Sequence, residues 1–338
     1  MNRTDRPIII WLFIGVFMIA AMVIIGGITR LTESGLSMVE WRLLAGTFPP
    51  LTEIEWIRVF NEYKLSPQFK ELNSDFLLSD FQQIFWWEYI HRLWGRLIGL
   101  VFAVPFLVFL VQKRFNATTL KKLIVILVLG GFQGFLGWYM VSSGLINEPR
   151  VSHYRLAAHL TTAFLTFALT LWLSLDLIFR NQKAQSQIAS ASKWFVGFFI
   201  LYAFQLIYGA FVAGMDAGTM HNHFPLMEKG ALIAESVFVL DPVYLNFIDG
   251  KSGIQFVHRY LAYAVVLTVF TIWYKFRKQV NEVQKLGLNL MLLSVSLQFL
   301  LGVFTLVYSV PLVLGVLHQV GALLLLVAAL FSYHRLTK

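Results

Sequence analysis

The residues of this chain best suited to chemistry are four histidines. His91, His159, His258 and His318 each lie near one end of a long apolar segment. The first pair is separated by 68 residues and the second by 60, one pair to each half of the chain. Imidazole is a common axial ligand of haem iron. Two facing helices that each supply one imidazole can hold a porphyrin between them, the usual way a helical bundle builds a cofactor site. Zinc fits less well, because it gathers three or four ligands at one point. Two pairs in separate halves are therefore what a protein needs to hold two haems.

Other polar residues cluster around these positions. Glu88 precedes His91 by three residues and so shares its helical face. The corresponding place before His258 is Gln255, which cannot ionise. A carboxylate beside one site only suggests chemistry in the first half and electron transfer in the second. Arg92 and Arg259 each follow a histidine, and an arginine there can pair with a haem propionate. Arg96 and Arg155 lie a turn from His91 and His159, where snorkelling to lipid headgroups is the plainer role. Glu33 and Glu40 are further acidic candidates, in a polar turn after the first apolar segment. His153, His221, His223 and His334 fall outside the pairing; His221 and His223 form only a weak motif for a metal such as copper.

These side chains must be positioned by membrane helices. The chain is 58% hydrophobic and 13% charged, half the charge of soluble domains. Its mean hydropathy is +0.69. Spans of roughly 20 apolar residues are expected at about 8–28, 88–111, 120–141, 155–179, 193–214, 255–274, 287–308 and 312–331. The first continues too far, with no small-residue cleavage pattern, to be a cleaved signal. Cysteine is absent, which excludes disulfides, thiolate metal sites and iron–sulfur clusters. An even number of spans puts both termini on one side. That side carries 15 basic and three acidic residues, and the remainder 12 basic and 15 acidic. The positive-inside rule places the termini in the cytoplasm. The net charge of +9 is thus a topology signal, not a nucleic-acid footprint.

The two longest outer segments are 29–87 and 215–254. Within the first, 52–64 has helical amphipathic spacing, and its Ile54, Ile57 and Phe60, on to Phe69, could lie on the membrane surface. Residues 73–83 suggest a second short helix leading into the second span. The halves resemble each other. His91-Arg92 matches His258-Arg259, and Gln133-x3-Gly137 matches Gln298-x3-Gly302, with the same device at Gln205-x3-Gly209. Met215-Asp216-Ala217-Gly218 stands where the Glu33 turn does. The three glutamines are most simply helix-packing or backbone-capping residues. Gly95 and Gly99, like Gly130 and Gly134, permit close helix approach or leave room for a flat ligand. The expected fold is an all-α polytopic membrane protein of eight helices, in two pseudo-twofold-related four-helix bundles. The halves are 1–180 and 181–338, parallel repeats about an axis along the membrane normal.

Five stretches resemble the haem A synthase (CtaA/Cox15) family: GGITRLTESGLSM at 26–38, EYIHRLWGR at 88–96, HLTTA at 159–163, VHRYLAY at 257–263 and LHQ at 317–319. The resemblance covers nearly the whole chain. It implies oxidation of the C8 methyl group of haem O to a formyl group in two steps, giving haem A. His91 and His159 would ligate the substrate haem, with Glu88 assisting the oxidation. His258 and His318 would ligate haem B. Many bacterial members carry cysteine pairs in the outer loops; the cysteine-free pattern resembles the proteobacterial and mitochondrial branch. The implied setting is the inner membrane, with the haem sites near the periplasmic side. Implied partners are membrane lipid, a haem O synthase and cytochrome oxidase assembly factors; the electron partner is unassigned, and a homo-oligomer is compatible. A b-type cytochrome relaying electrons would also place paired histidines in helices, and less simply a transporter would explain eight spans and an internal repeat.

Overall fold

The computed structural model describes residues 5–39, 47–144, 149–180, 188 and 190–338. Glu40 lies outside them, as do Arg3 and Lys183 of the charge count. Eight long helices dominate. They are α1 (Arg6–Leu31), α4 (Leu78–Val111), α5 (Ala117–Gly144), α6 (His153–Ile178), α7 (Ala191–Gly214), α9 (Lys251–Phe276), α10 (Glu282–Val307) and α11 (Leu312–Thr337). Each is long and apolar enough to cross a membrane. Leu100, Leu107, Val128, Leu267 and Leu293 are left exposed on them, as lipid-facing residues must be. The short helices α2 (Glu53–Tyr63), α3 (Pro67–Leu72) and α8 (Leu245–Ile248) belong to the two long connections. No strand occurs among the described residues.

Inside each half, α1 packs on α4 and α5 on α6, while α7 packs on α9 and α10 on α11. Across the halves, α6 packs on α7 and α1 on α11. Trp11 and Trp94 donate indole N–H bonds to Val101 O and Met18 O, stapling α1 to α4. A large aromatic and aliphatic core joins α6, α7, α9, α10 and α11 through Phe167, Phe195, Phe198, Ile272 and Leu326. Both termini lie on one face. Arg180 after α6 pairs with Asp5 before α1 at 2.8 Å, and Asp176 near the end of α6 binds Lys338 at 2.6 Å and Lys122 at 2.5 Å.

The expected helix at 52–64 is α2. A capping box starts it: Thr52 Oγ1 accepts from Glu55 N–H, and the Glu55 carboxylate accepts from Thr52 N–H. Its faces are divided differently from the expectation. Ile54 and Ile57 are exposed, but Phe60 is buried with Tyr63, Phe81 and Phe85. Phe60 and Phe69 thus pack against protein rather than membrane. Burial pushes the Tyr63 phenol up to about 12. Its hydroxyl lies between Gln68 and Asn73, and Gln68 Nε2 donates to Glu33 O, tying this cap to the turn after α1.

Residues 73–83 do not form a separate helix. Asn73 ends α3, and α4 begins at Leu78, ten residues before the expected span. Asp80 Oδ2 accepts from Leu77 N–H at 2.9 Å and starts it there. With 34 residues, α4 is about 50 Å long at 1.5 Å per residue. That exceeds a hydrocarbon core of about 30 Å, and its projecting first turns meet α2. His91 is therefore thirteen residues into its helix, not three. His159 and His318 stand at the same register, six residues past their helix starts, and His258 stands at seven; His318 is not set deeper in its helix.

Candidate functional site

Three of the four histidines pack against a glycine on a neighbouring helix. His91 lies against Gly26 of α1, where an added Cβ would sit 3.2 Å from its Nε2. His258 lies against Gly209 of α7, with the corresponding distance to its Cε1 3.1 Å. His318 lies against Gly302 of α10, at 2.9 Å. A Cβ at Gly302 would force the ring to shift, and one at Gly26 or Gly209 would press it by a few tenths of an ångström, so the glycines leave each imidazole its place. The last two close the Gln-x3-Gly device: the main chain at Gln205 and Gln298 borders the same rings. Spacing alone exposes this device, but not its purpose, because the histidine it receives belongs to another helix.

The glutamines divide in role. Gln133 Nε2 donates to His159 O at 3.2 Å, which is backbone capping as expected. Gln205 instead reaches the ring of His258, its amide 3.2 Å from Nδ1. The two ends of an amide are interchangeable by half a rotation. The same amide lies 3.4 Å from Nε2, so it borders both ring nitrogens and can orient the imidazole, the role an outer group plays towards a ligand.

The residues present fit haem. His258 and His318 have ring centres 6.4 Å apart and planes at 82°. A metal–imidazole bond is about 2 Å, so two imidazoles on opposite sides of one ion place their ring centres roughly 6 Å apart. His91 and His159 lie within electrostatic reach of one another. All four histidines are partly buried, neither sealed in the core nor fully exposed. His159 Nδ1 and His318 Nδ1 are buried without a hydrogen bond. The remaining histidines are spent elsewhere. His153 Nε2 bonds Ile248 O, His334 Nε2 bonds Asp176, and His221 Nε2 bonds Ser252 Oγ. The exposed His223 supplies its carbonyl to Arg259. Among the described residues no three His, Cys, Asp or Glu groups gather as a metal site.

Glu88 is 2% exposed, not an interfacial surface residue. Its Oε1 pairs with Arg92 at 2.5 Å. Its Oε2 accepts from Ser37 Oγ at 2.7 Å and Met38 N–H at 2.9 Å. Arg92 also donates to Met38 O. In the second half Arg259 grips the carbonyls of His223, Pro225 and Leu226, while Gln255 reaches Gly218 O. Both arginines therefore anchor the loop that follows the first helix of their own half. Those loops turn alike: Glu33 and Asp216 both take positive φ, 52° and 53°. Arg30 spans from one turn to the other, donating to Asp216 Oδ1 at 2.9 Å and to the carbonyls of Ala213 and Gly214. Gly99, Gly130 and Gly134 face open space, so they serve no close helix approach. Gly95 meets Met22 of α1. Arg155 is tied to Tyr139 O of α5 at 2.6 Å.

Eight helices long and apolar enough to cross a membrane, carrying histidine pairs whose spacing fits an axially ligated porphyrin, define a polytopic all-helical membrane protein. Residues 9–330 match the COX15-CtaA family, described as cytochrome oxidase assembly protein, and the chain belongs to that family. It is 50% identical to the heme A synthase of Flavobacterium johnsoniae over the full length of both chains. It is 48% identical to that of Flavobacterium psychrophilum, covering 99% of this chain and all of the relative. For the heme A synthase of Nitrosospira multiformis the figures are 44% identity, 99% and 94%.

Proposed function

We propose that this chain is a haem A synthase, an enzyme that oxidises a methyl group of haem O to the formyl group of haem A. Full-length similarity to heme A synthases supports the activity. The observation that carries the site assignment is the duplicated imidazole seating against Gly26, Gly209 and Gly302. His91 and His159 hold the substrate haem. His258 and His318 hold haem B, which when bound supplies one-electron redox chemistry.

The reaction balances as two oxidations. Written with water as the oxygen donor, the methyl group becomes a hydroxymethyl group, releasing two protons and passing two electrons to an external one-electron acceptor in two transfers. A second such step gives a geminal diol, which loses water to leave the aldehyde. The chain's task is to seat the substrate, to keep its orientation and to place charge. Glu88 supplies a buried anion one turn from His91, held by Arg92, Ser37 and Met38. Gln255, its counterpart, supplies none, which matches substrate chemistry in the first half and electron transfer in the second.

The two halves act as parallel four-helix units, 1–180 and 181–338. Family membership points to the inner membrane, and the charge bias to cytoplasmic termini with haem sites towards the periplasm. Haem O comes from a membrane farnesyltransferase, and haem A passes to oxidase assembly.

The test is mass identification of pigments extracted from purified protein. Wild type is expected to yield haem B with haem O, haem A or a hydroxylated intermediate. His91→Ala is expected to lose the latter group and keep haem B, and His258→Ala to lose haem B. Two haem B per chain, with no other pigment, would overturn the proposal.

A further inference from the structure

A side chain next to one histidine site crosses the seam between the halves to the helix that seats the other. Gln319 follows His318 on α11. Its Nε2 donates to Val23 O of α1 at 3.2 Å. Its amide lies so close to Gly27 that an added Cβ would overlap it. Gly27 in turn is next to Gly26, the glycine that seats His91. One turn away the arrangement is reversed: Leu31 of α1 fills the space left by Gly315 of α11, where a Cβ would come within 2.7 Å of Leu31 Cδ1. Each helix thus offers a glycine to a side chain of the other, four residues apart on both. These reciprocal contacts fix the register of α1 against α11, since a one-turn slip would put Gln319 against Val23 or Leu31. The partner contact across the seam is apolar. Leu160, following His159, packs against the cluster that contains Ala157, Ala210 and Phe211, Ala210 being the neighbour of Gly209. Gln319 makes a polar one beside His318, in addition to Arg30 and Asp216 at the loop turns and Asp176 at the far end, and an amide bonded to a helical carbonyl within lipid is a directional link.

We propose that Gln319 is a positioning residue that couples the two histidine sites through Gly27. Movement of α1 is transmitted to His318, and movement of α11 to the seat of His91. This rests on the haem reading for its functional meaning, but not for its physical test. Gly27→Ala touches no second-half histidine, yet is expected to shift the low-spin resonance and absorption of the haem held by His258 and His318. Gln319→Ala, which opens space beside Gly27 and removes the bond to Val23 O, is expected to shift the signature of the first-half haem. Each single change is expected to lower Tm, and the double variant Gly27→Ala/Gln319→Ala to recover part of that loss, because the shortened side chain accepts the new Cβ. A Tm loss equal to the sum of the singles, with the distant haem's spectrum unmoved by either, would overturn the coupling. The Tm cycle needs no pigment, so absence of haem would count against the haem reading alone.

Discussion

Arg92 closes on Glu88 at 2.5 Å, one helical turn away on the same face of α4, with His91 between them in sequence. Both side chains are at most a tenth exposed. Removing one partner of a buried pair leaves an uncompensated charge and costs about 3–5 kcal/mol.

Glu88→Gln is therefore expected to lower Tm and to reduce haem A formation at least tenfold, while the second-half haem is retained. Glu88→Gln/Arg92→Met removes both charges and should recover stability without recovering activity. Differential scanning fluorimetry and pigment mass analysis separate the two effects. Unchanged haem A yield in the single variant would remove Glu88 from the reaction and leave it as a loop anchor only.

The glycines that seat the rings give a second prediction with an internal control. A methyl group at Gly209 or Gly302 would press on His258 or His318 at about 3 Å, and overpacking of this kind costs about 1–3 kcal/mol. Gly209→Ala and Gly302→Ala should lose most of the second-half haem, and Gly26→Ala most of the first-half haem. Gly99→Ala, where nothing lies within 4 Å, should lose neither. Haem per chain, read from the pyridine haemochrome spectrum, decides it; equal retention in all four would refute the seating role.

Much of this was legible in the sequence. Eight spans follow from apolar length, and the four histidines from their matching order within the halves. The start of α4 was not legible, because hydropathy locates apolar residues whereas the helix begins where Asp80 caps Leu77. Nor was the engagement of Arg92 and Arg259 with loop carbonyls, since those partners lie over thirty residues away. Phe60 shows the same limit: amphipathic spacing reveals an apolar face without saying whether lipid or α4 covers it.

His221 gives a pH dependence. Burial holds its imidazole below the ordinary value of 6.5, while Glu228 at 3.5 Å pulls it up and Arg259 pushes it down. Above about pH 6.5 both folded and unfolded forms are neutral. As pH falls from there towards the lowered folded value, the unfolded chain takes up the proton more readily, so stability is lost. His221→Gln is expected to flatten the fall of Tm between about pH 6.5 and pH 5 relative to wild type. Parallel curves for the two proteins would show that the Ser252 and Glu228 contacts do not depend on this proton.

Asp176 tests whether stability can be lost without touching the sites. It collects Lys122, Lys338 and His334 at 2.5, 2.6 and 3.1 Å, and its side chain is 14% exposed. It joins the end of α6 to the start of α5 and the end of α11. Asp176→Asn leaves Lys122 and Lys338 without their counter-charge, but the lysines can swing to water, so a cost of about 2 kcal/mol is expected, below that of a fully buried pair. Removal of Lys338 alone, a half-exposed partner, should cost under about 1 kcal/mol. His159 lies seventeen residues up the same helix, about 25 Å at 1.5 Å per residue. The haem content of folded Asp176→Asn protein should therefore equal that of wild type while its Tm falls. Haem loss in protein that remains folded would mean that α6 transmits strain along its length to His159.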